Sequence, residues 1–183
     1  MKYITLLVIF CTVFIACEQK KTKTAINAEN DEKYLSTKDE IIVFDSLAPV
    51  EVIYKDSIIG WKGYFKVTED LKRLKKTTPN EVLNTAEELT KDVELMRDSI
   101  TVEVLNERGM RARINTLFNQ SLRLQEMKDI PAITVPEITK QTQGLFNIYR
   151  MINTKINAIY EQNDFERELV EDNFFFSKID SIK

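Results

Sequence analysis

Four residues, Thr78-Pro79-Asn80-Glu81, constrain what this chain can fold into more than any other stretch of it. The Thr78 hydroxyl can accept from the free amide three residues on, Pro79 presets the first turn, and Glu81 completes a T-x-x-E capping box. A helix starts here. Behind the cap Val82, Ala86, Leu89, Val93, Met96 and Ile100 recur at alternating intervals of four and three, the spacing of a seam that is buried only against other helices. Asp98-Ser99 and the β-branched run Ile100-Thr101-Val102 end or interrupt it.

The device returns at Thr134-Val135-Pro136-Glu137, ahead of a helix carrying Ile138, Leu145, Ile148, Ile152, Ile156 and Ile159 and running on through Phe165, Leu169 and Val170. Between the two capped helices, residues 108–128 carry Met110, Ile114, Leu117, Ser121 and Leu124 on one seam, widened by Phe118 and Leu122. Asp129-Ile130-Pro131 breaks this helix, because proline restricts its predecessor and donates no amide hydrogen. Ahead of Thr78, Trp61, Phe65, Leu71 and Leu74 form a less regular stripe whose start is weakened by Gly60 and Gly63. Lys72, Arg73, Lys75 and Lys76 suit the end of that helix. Four glycines and four prolines in 183 residues leave little turn chemistry and favour long elements. The fold expected is all-α: an antiparallel bundle of three to four helices over residues 39–183, with a short extended N-terminal segment. In that segment Ile41–Phe44 is an apolar run, and Val50, Val52 and Tyr54 alternate with Glu51, Ile53 and Lys55 across the bend at Pro49. Two short extended pieces fit this pattern, and so does an irregular segment laid across the helices.

Upstream, Met1-Lys2-Tyr3 precedes thirteen mainly apolar residues, Ile4 to Ala16, and the chain then turns abruptly polar at Glu18. Thirteen helical residues cover roughly 20 Å, short of the ~30 Å hydrocarbon core of a bilayer. The charged start, short apolar run and small Ala16 before Cys17 resemble the lipobox of bacterial lipoprotein precursors, with Phe14 where leucine is the usual choice. The resemblance implies a signal peptide over residues 1–16, removed after Cys17 receives its lipid. Residues 17–38 then form a lipidated cysteine and a flexible tether, with a reach of roughly 25 Å for about 20 coil residues. Two or more acyl chains hold a protein durably where one binds only marginally. The layout as a whole, the lipobox followed by "WKGYF", "TPNEV" and "RINTLFNQSLRLQEM", resembles uncharacterised lipoproteins of flavobacteria. That resemblance implies a bacterial cell envelope, with the protein lipid-anchored to the outer membrane and facing the periplasm.

Cys11 lies in the segment to be removed, so the mature chain keeps one cysteine and forms no internal disulfide. With no histidine in the sequence, soft metal sites and the commonest general base are missing too. Gly60, Gly63, Gly109 and Gly144 fall in no phosphate-binding pattern. A net charge of −3 argues against nucleic acid. The expectation is a protein that is not an enzyme, needs no cofactor, and touches the membrane through its anchor and a protein partner through its surface. The alternative is a module holding an apolar ligand between its helices, which needs an internal cavity of several hundred cubic ångströms.

Candidate contact residues are few. Arg108, Arg111, Arg113 and Arg123 concentrate positive charge on the third helix. Pairing with acidic residues of a neighbouring helix is the ordinary use of such a group; gripping an acidic partner or a lipid head group is the functional one. Phe174, Phe175 and Phe176 cannot all face one helical stripe. They dock at the Trp61 end of the bundle or offer an apolar patch to a partner. Carboxylates such as Glu87, Glu88, Asp92 and Glu94 read as a solvated helix face. Asn115 with Asn119, and Asn153 with Asn157, also read as solvated, unless one turns inward to set helix register.

Overall fold

A computed structural model describes residues 38–180, with side chains through residue 171. The expected signal segment 1–16, Cys17 and nearly all of the 17–38 tether lie outside the described residues, as do the side chains of Phe174, Phe175 and Phe176. Four helices follow one another: α1 (Lys62–Leu74), α2 (Pro79–Asp98), α3 (Arg108–Met127) and α4 (Val135–Asp180). The two capping boxes close by opposite halves. Thr78 Oγ1 accepts from the Glu81 amide at 3.2 Å, whereas the Glu137 carboxylate accepts from the Thr134 amide at 2.9 Å and its hydroxyl at 2.7 Å. Either half relieves a helix start of free polar groups.

The helices run up, down, up and down. Lys66 of α1 meets Asp92 of α2 while Arg73 meets Glu88, Gln141 of α4 bonds to Gln120 of α3, and Lys155 of α4 reaches Glu107 just ahead of α3. The seams lie inside: Val82, Ala86, Leu89, Val93 and Met96 of α2 and Met110, Ile114, Leu117, Ser121 and Leu124 of α3 are buried. Such burial of large aliphatic side chains is the main stabilising term, at roughly 1.5–3 kcal/mol each. On α4, Ile138, Leu145, Ile152, Ile156 and Ile159 are buried as expected. The helix does run on, but Phe165, Leu169 and Val170 are 60%, 46% and 69% exposed, past the part packed on its neighbours.

The N-terminal segment departs from two paired strands. Only β1 (Ile42–Val43) is extended, and it pairs antiparallel with β2 (Lys76–Thr77) in the α1–α2 link. Val52–Tyr54 and Asp56–Ile58 are single tight 3₁₀ turns, which place Val50 and Tyr54 inward and leave Val52 and Ile53 exposed. The alternating hydrophobicity was satisfied by four-residue spacing instead of two. The segment from Phe44 to Ser57 fills the groove between α1 and α4 as a strap. Phe44 stacks on Phe146 and Tyr54 on Tyr160, each with ring centroids 5.1 Å apart. The Asn153 amide donates to the carbonyls of Leu47 (3.1 Å) and Ala48 (2.9 Å), and Asn157 Oδ1 accepts from the Glu51 amide at 3.0 Å.

Ala48 pays for this path with a left-handed backbone, φ 45°, which costs a residue bearing a Cβ roughly 1–2 kcal/mol. Ala48→Gly is expected to raise stability by about 0.5–1 kcal/mol, the gain in native conformation being partly offset by glycine's looser unfolded chain. Urea unfolding measures it; an unchanged or lower midpoint would mean that the strap does not hold this turn.

Candidate functional site

The most unusual group of side chains lies where α1 crosses α2. On α1 the inward positions run Val67, Asp70, Leu71 and Leu74, so a carboxylate stands in a row otherwise apolar. The Asp70 side chain is only 7% exposed. Glu88 and Asp92 stand one turn apart on α2, and the antiparallel crossing brings one oxygen from each of the three acids within 4.8 Å of the others. Exposure grades outward, from Asp70 through Asp92 (15%) to Glu88 (60%). Two cations edge the cluster: Lys66 Nζ is 3.1 Å from Asp92 Oδ1, and Arg73 pairs with Asp70 Oδ1 and lies 3.5 Å from Glu88 Oε1.

Burial lifts the Asp70 carboxyl above its ordinary value; Arg73 pulls it back, and Asp92 alongside adds to the rise. Because its folded value is raised, Asp70 favours folding in acid and loses that contribution as pH climbs through the raised value. Its Oδ2 is buried and has no hydrogen-bond donor among the described residues. All three donors are hard carboxylate oxygens, the ligand class that suits calcium, magnesium or manganese. Glu88 and Asp92 read as solvated from sequence alone, and Asp70 was missed. Its spacing, three residues after Val67 and four before Leu74, was the available signal.

The four arginines of α3 divide. Arg108 and Arg123 are exposed on the helix surface. Arg111 donates to Asn106 Oδ1 at 2.6 Å, and Arg113 to the Gly109 carbonyl at 2.8 Å. Among the described residues none of the four forms an ion pair, so pairing with a neighbouring helix, the ordinary expectation, is corrected. The nearby acids are already engaged: Glu94 and Asp98 hold Arg97, whose guanidinium also sits 4.1 Å above the Phe118 ring. Glu107 caps α3 by accepting from the Gly109 and Met110 amides at 3.1 and 2.7 Å. Burial tends to raise the Glu107 carboxyl, but those amides and Lys155 outweigh it and the net shift is downward.

Arg111 and Arg97 edge a surface groove of about 510 Å³, and Arg113, Arg150 and Lys155 edge a second of about 520 Å³ floored by Met151 and Ala158. Arg113 Nε is buried there without a partner among the described residues. A smaller apolar pocket of about 210 Å³ lies under the strap, between Leu47, Val50, Ile58, Phe65 and Tyr149. Its hydroxyl and amide groups bond among themselves: Tyr64 Oη donates to Asn153 Oδ1 at 3.0 Å, and Thr68 bonds to both Tyr149 and the Tyr64 carbonyl, while Lys55 and Lys72 also line it. Burial holds the Tyr149 hydroxyl well above its usual range, so it stays neutral. Asn153 therefore turns inward, while Asn115 and Asn119 face solvent.

Among the described residues no helix is long and apolar enough to cross a membrane. No protein-family model matches the chain, and no curated protein or solved structure matches it either.

Proposed function

We propose that this chain is a lipid-anchored helical protein of a bacterial cell envelope, tethered through Cys17 and acting by protein–protein contacts, without catalysis. The contact surface in this reading is the arginine-bearing side of α3, and the partner presents acidic side chains. One observation carries it: Arg111 and Arg113 make no ion pair among the described residues, yet each edges one of two large open grooves. Guanidinium groups with unused donors are suited to forked bonds with carboxylates. The apolar-ligand alternative is less well supported, because the pocket under the strap, at about 210 Å³, is smaller than the ~300–1,000 Å³ usual for ligand sites.

A photo-crosslinker placed at Asn115 or Met151 in the full chain, expressed in its cells, tests the surface. The expected result is one adduct of defined mass at these positions and none at Asn84 on α2. The adduct disappears when Arg111→Glu and Arg113→Glu are combined and circular dichroism is unchanged. The Cys17→Ala chain should lose metabolic acyl labelling and persist as a larger precursor. Continued labelling would reject the anchor, and an adduct that survives charge reversal would reject the surface.

A further inference from the structure

We propose that Asp70, Glu88 and Asp92 form a calcium site that clamps α1 to α2, a role separate from the surface and anchor proposed above. Two independent observations meet at this point. The first is distance: one oxygen from each acid lies within 4.8 Å of the others. Calcium takes its oxygens at about 2.3–2.6 Å, so ligands on opposite sides of the ion are roughly 4.6–5.2 Å apart, and closer pairs fall at smaller angles. Magnesium, at about 2.0–2.1 Å, demands near-octahedral geometry and keeps several of its waters with only one or two carboxylates, so three protein carboxylates suit calcium better.

The second observation is the unanswered oxygen. Asp70 Oδ2 is buried in a side chain only 7% exposed and has no donor among the described residues. A buried carboxylate oxygen without a donor is costly, and its neighbour here is another carboxylate, which cannot donate when ionised. Something positive is required between them. Lys66 and Arg73 supply part of it, but the cluster has three carboxylates against two cations, and Arg73 takes Oδ1 of Asp70, not Oδ2.

Access and exchange are also provided. Lys66 and Arg73 are 55% and 59% exposed and hold the acids from the solvent side. Either can swing into water when an ion enters past Glu88. Asp70 then gives the inner ligand, Asp92 and Glu88 the outer two, and water the remaining positions. Because the acids come from two helices, the ion joins α1 to α2, so calcium binds the folded chain and not the unfolded one.

The test is isothermal titration of the full chain, purified in detergent at pH 7, with calcium chloride as the probe and sodium chloride of equal ionic strength as the blank. One saturable site per chain is expected, together with a rise in Tm of about 5 °C near a hundredfold excess of calcium over its dissociation constant. Glu88→Gln, an exposed change that leaves the core untouched, should weaken calcium at least tenfold, and Asp70→Asn should abolish its binding. Arg73→Gln should tighten it, because a competing cation is gone. That response separates a site from mere structural damage. No saturable heat, or binding unchanged in both Glu88→Gln and Asp70→Asn, overturns the proposal. Stabilisation by acid alone, with no response to calcium, assigns the orphan oxygen to a proton shared with Asp92 and overturns it equally.

Discussion

Replacing Gly63 by alanine is expected to lower the stability of the folded chain by about 3 kcal/mol, at the upper end of what overpacking usually costs. The sign is the informative part, because local propensity predicts the opposite. Glycine inside a helix is disfavoured by roughly 0.5–1 kcal/mol relative to alanine, so an unobstructed substitution would stabilise. A Cβ on Gly63 would instead lie closer than 3.0 Å to the Met96 backbone nitrogen and Cα, and 2.8 Å from the Leu95 carbonyl carbon. Backbone cannot step aside as a side-chain tip can. The approach is held from both sides, by Trp61 Nε1 donating to the Met96 carbonyl at 2.8 Å and by the Lys66–Asp92 pair further along. Relief requires α1 and α2 to move apart and loosen a fully buried tryptophan. Gly144→Ala is the matched control. Its new methyl would meet only the Gln120 side chain, at 3.5 Å, so a gain of roughly 0.5–1 kcal/mol is expected there. Urea midpoints followed by circular dichroism give both values. Equal signs at the two glycines would reject the close-approach explanation.

Asn153→Leu should cost a similar amount, about 3 kcal/mol, by a different mechanism. Leucine keeps asparagine's branched outline with bulkier methyl ends, so no cavity forms. What is lost is three hydrogen bonds in the interior: two to the Leu47 and Ala48 carbonyls and one from the Tyr64 hydroxyl. Buried polar groups left without partners carry their full desolvation penalty. The damage should also be local, because these bonds are what tie the strap to α4. Hydrogen exchange should therefore accelerate for amides of residues 44–58 well before those of α2 and α3. Asn157→Ala removes only the acceptor for the Glu51 amide, at a half-exposed site, and should cost about 1 kcal/mol. If Asn153→Leu unfolds the whole chain evenly, with no early opening of the strap, Asn153 is a general core residue and not the strap's fastening.

Both predictions fall on residues whose role was hard to see in the letters. Gly63 read as a weak point in a helix, since propensity is a property of the residue and its own backbone. The contact that makes it necessary comes from a chain segment 33 residues later. Asn153 read as surface because asparagine usually is, and nothing near it in sequence announces the carbonyls of Leu47 and Ala48. Asp70 is an intermediate case. It was missed, although its spacing to Val67 and Leu74 carried a signal; nothing local pointed to the Glu88 and Asp92 carboxylates that meet it. The arginines went the other way: their concentration on one helix was plain, whereas their lack of acidic partners among the described residues depends on Glu94, Asp98 and Glu107 being engaged elsewhere.

Helix identity and order were determined locally. The T-P-N-E and T-V-P-E starts, the four-three spacing behind them and the break at Pro131 are short-range effects, and α2, α3 and α4 begin and end where those effects put them, apart from the run of α4 to Asp180. Only the tertiary structure decided how the segment before α1 is spent. Its alternating apolar residues satisfy a strand and a wedge equally well until a groove of fixed width, set by α1 and α4, selects tight turns over an extended ribbon. The same holds at the acidic cluster, where charge and spacing on one helix are sequence properties. A shared site needs two helices crossing at one register, and that crossing is set by the steric fit of Gly63 against Met96.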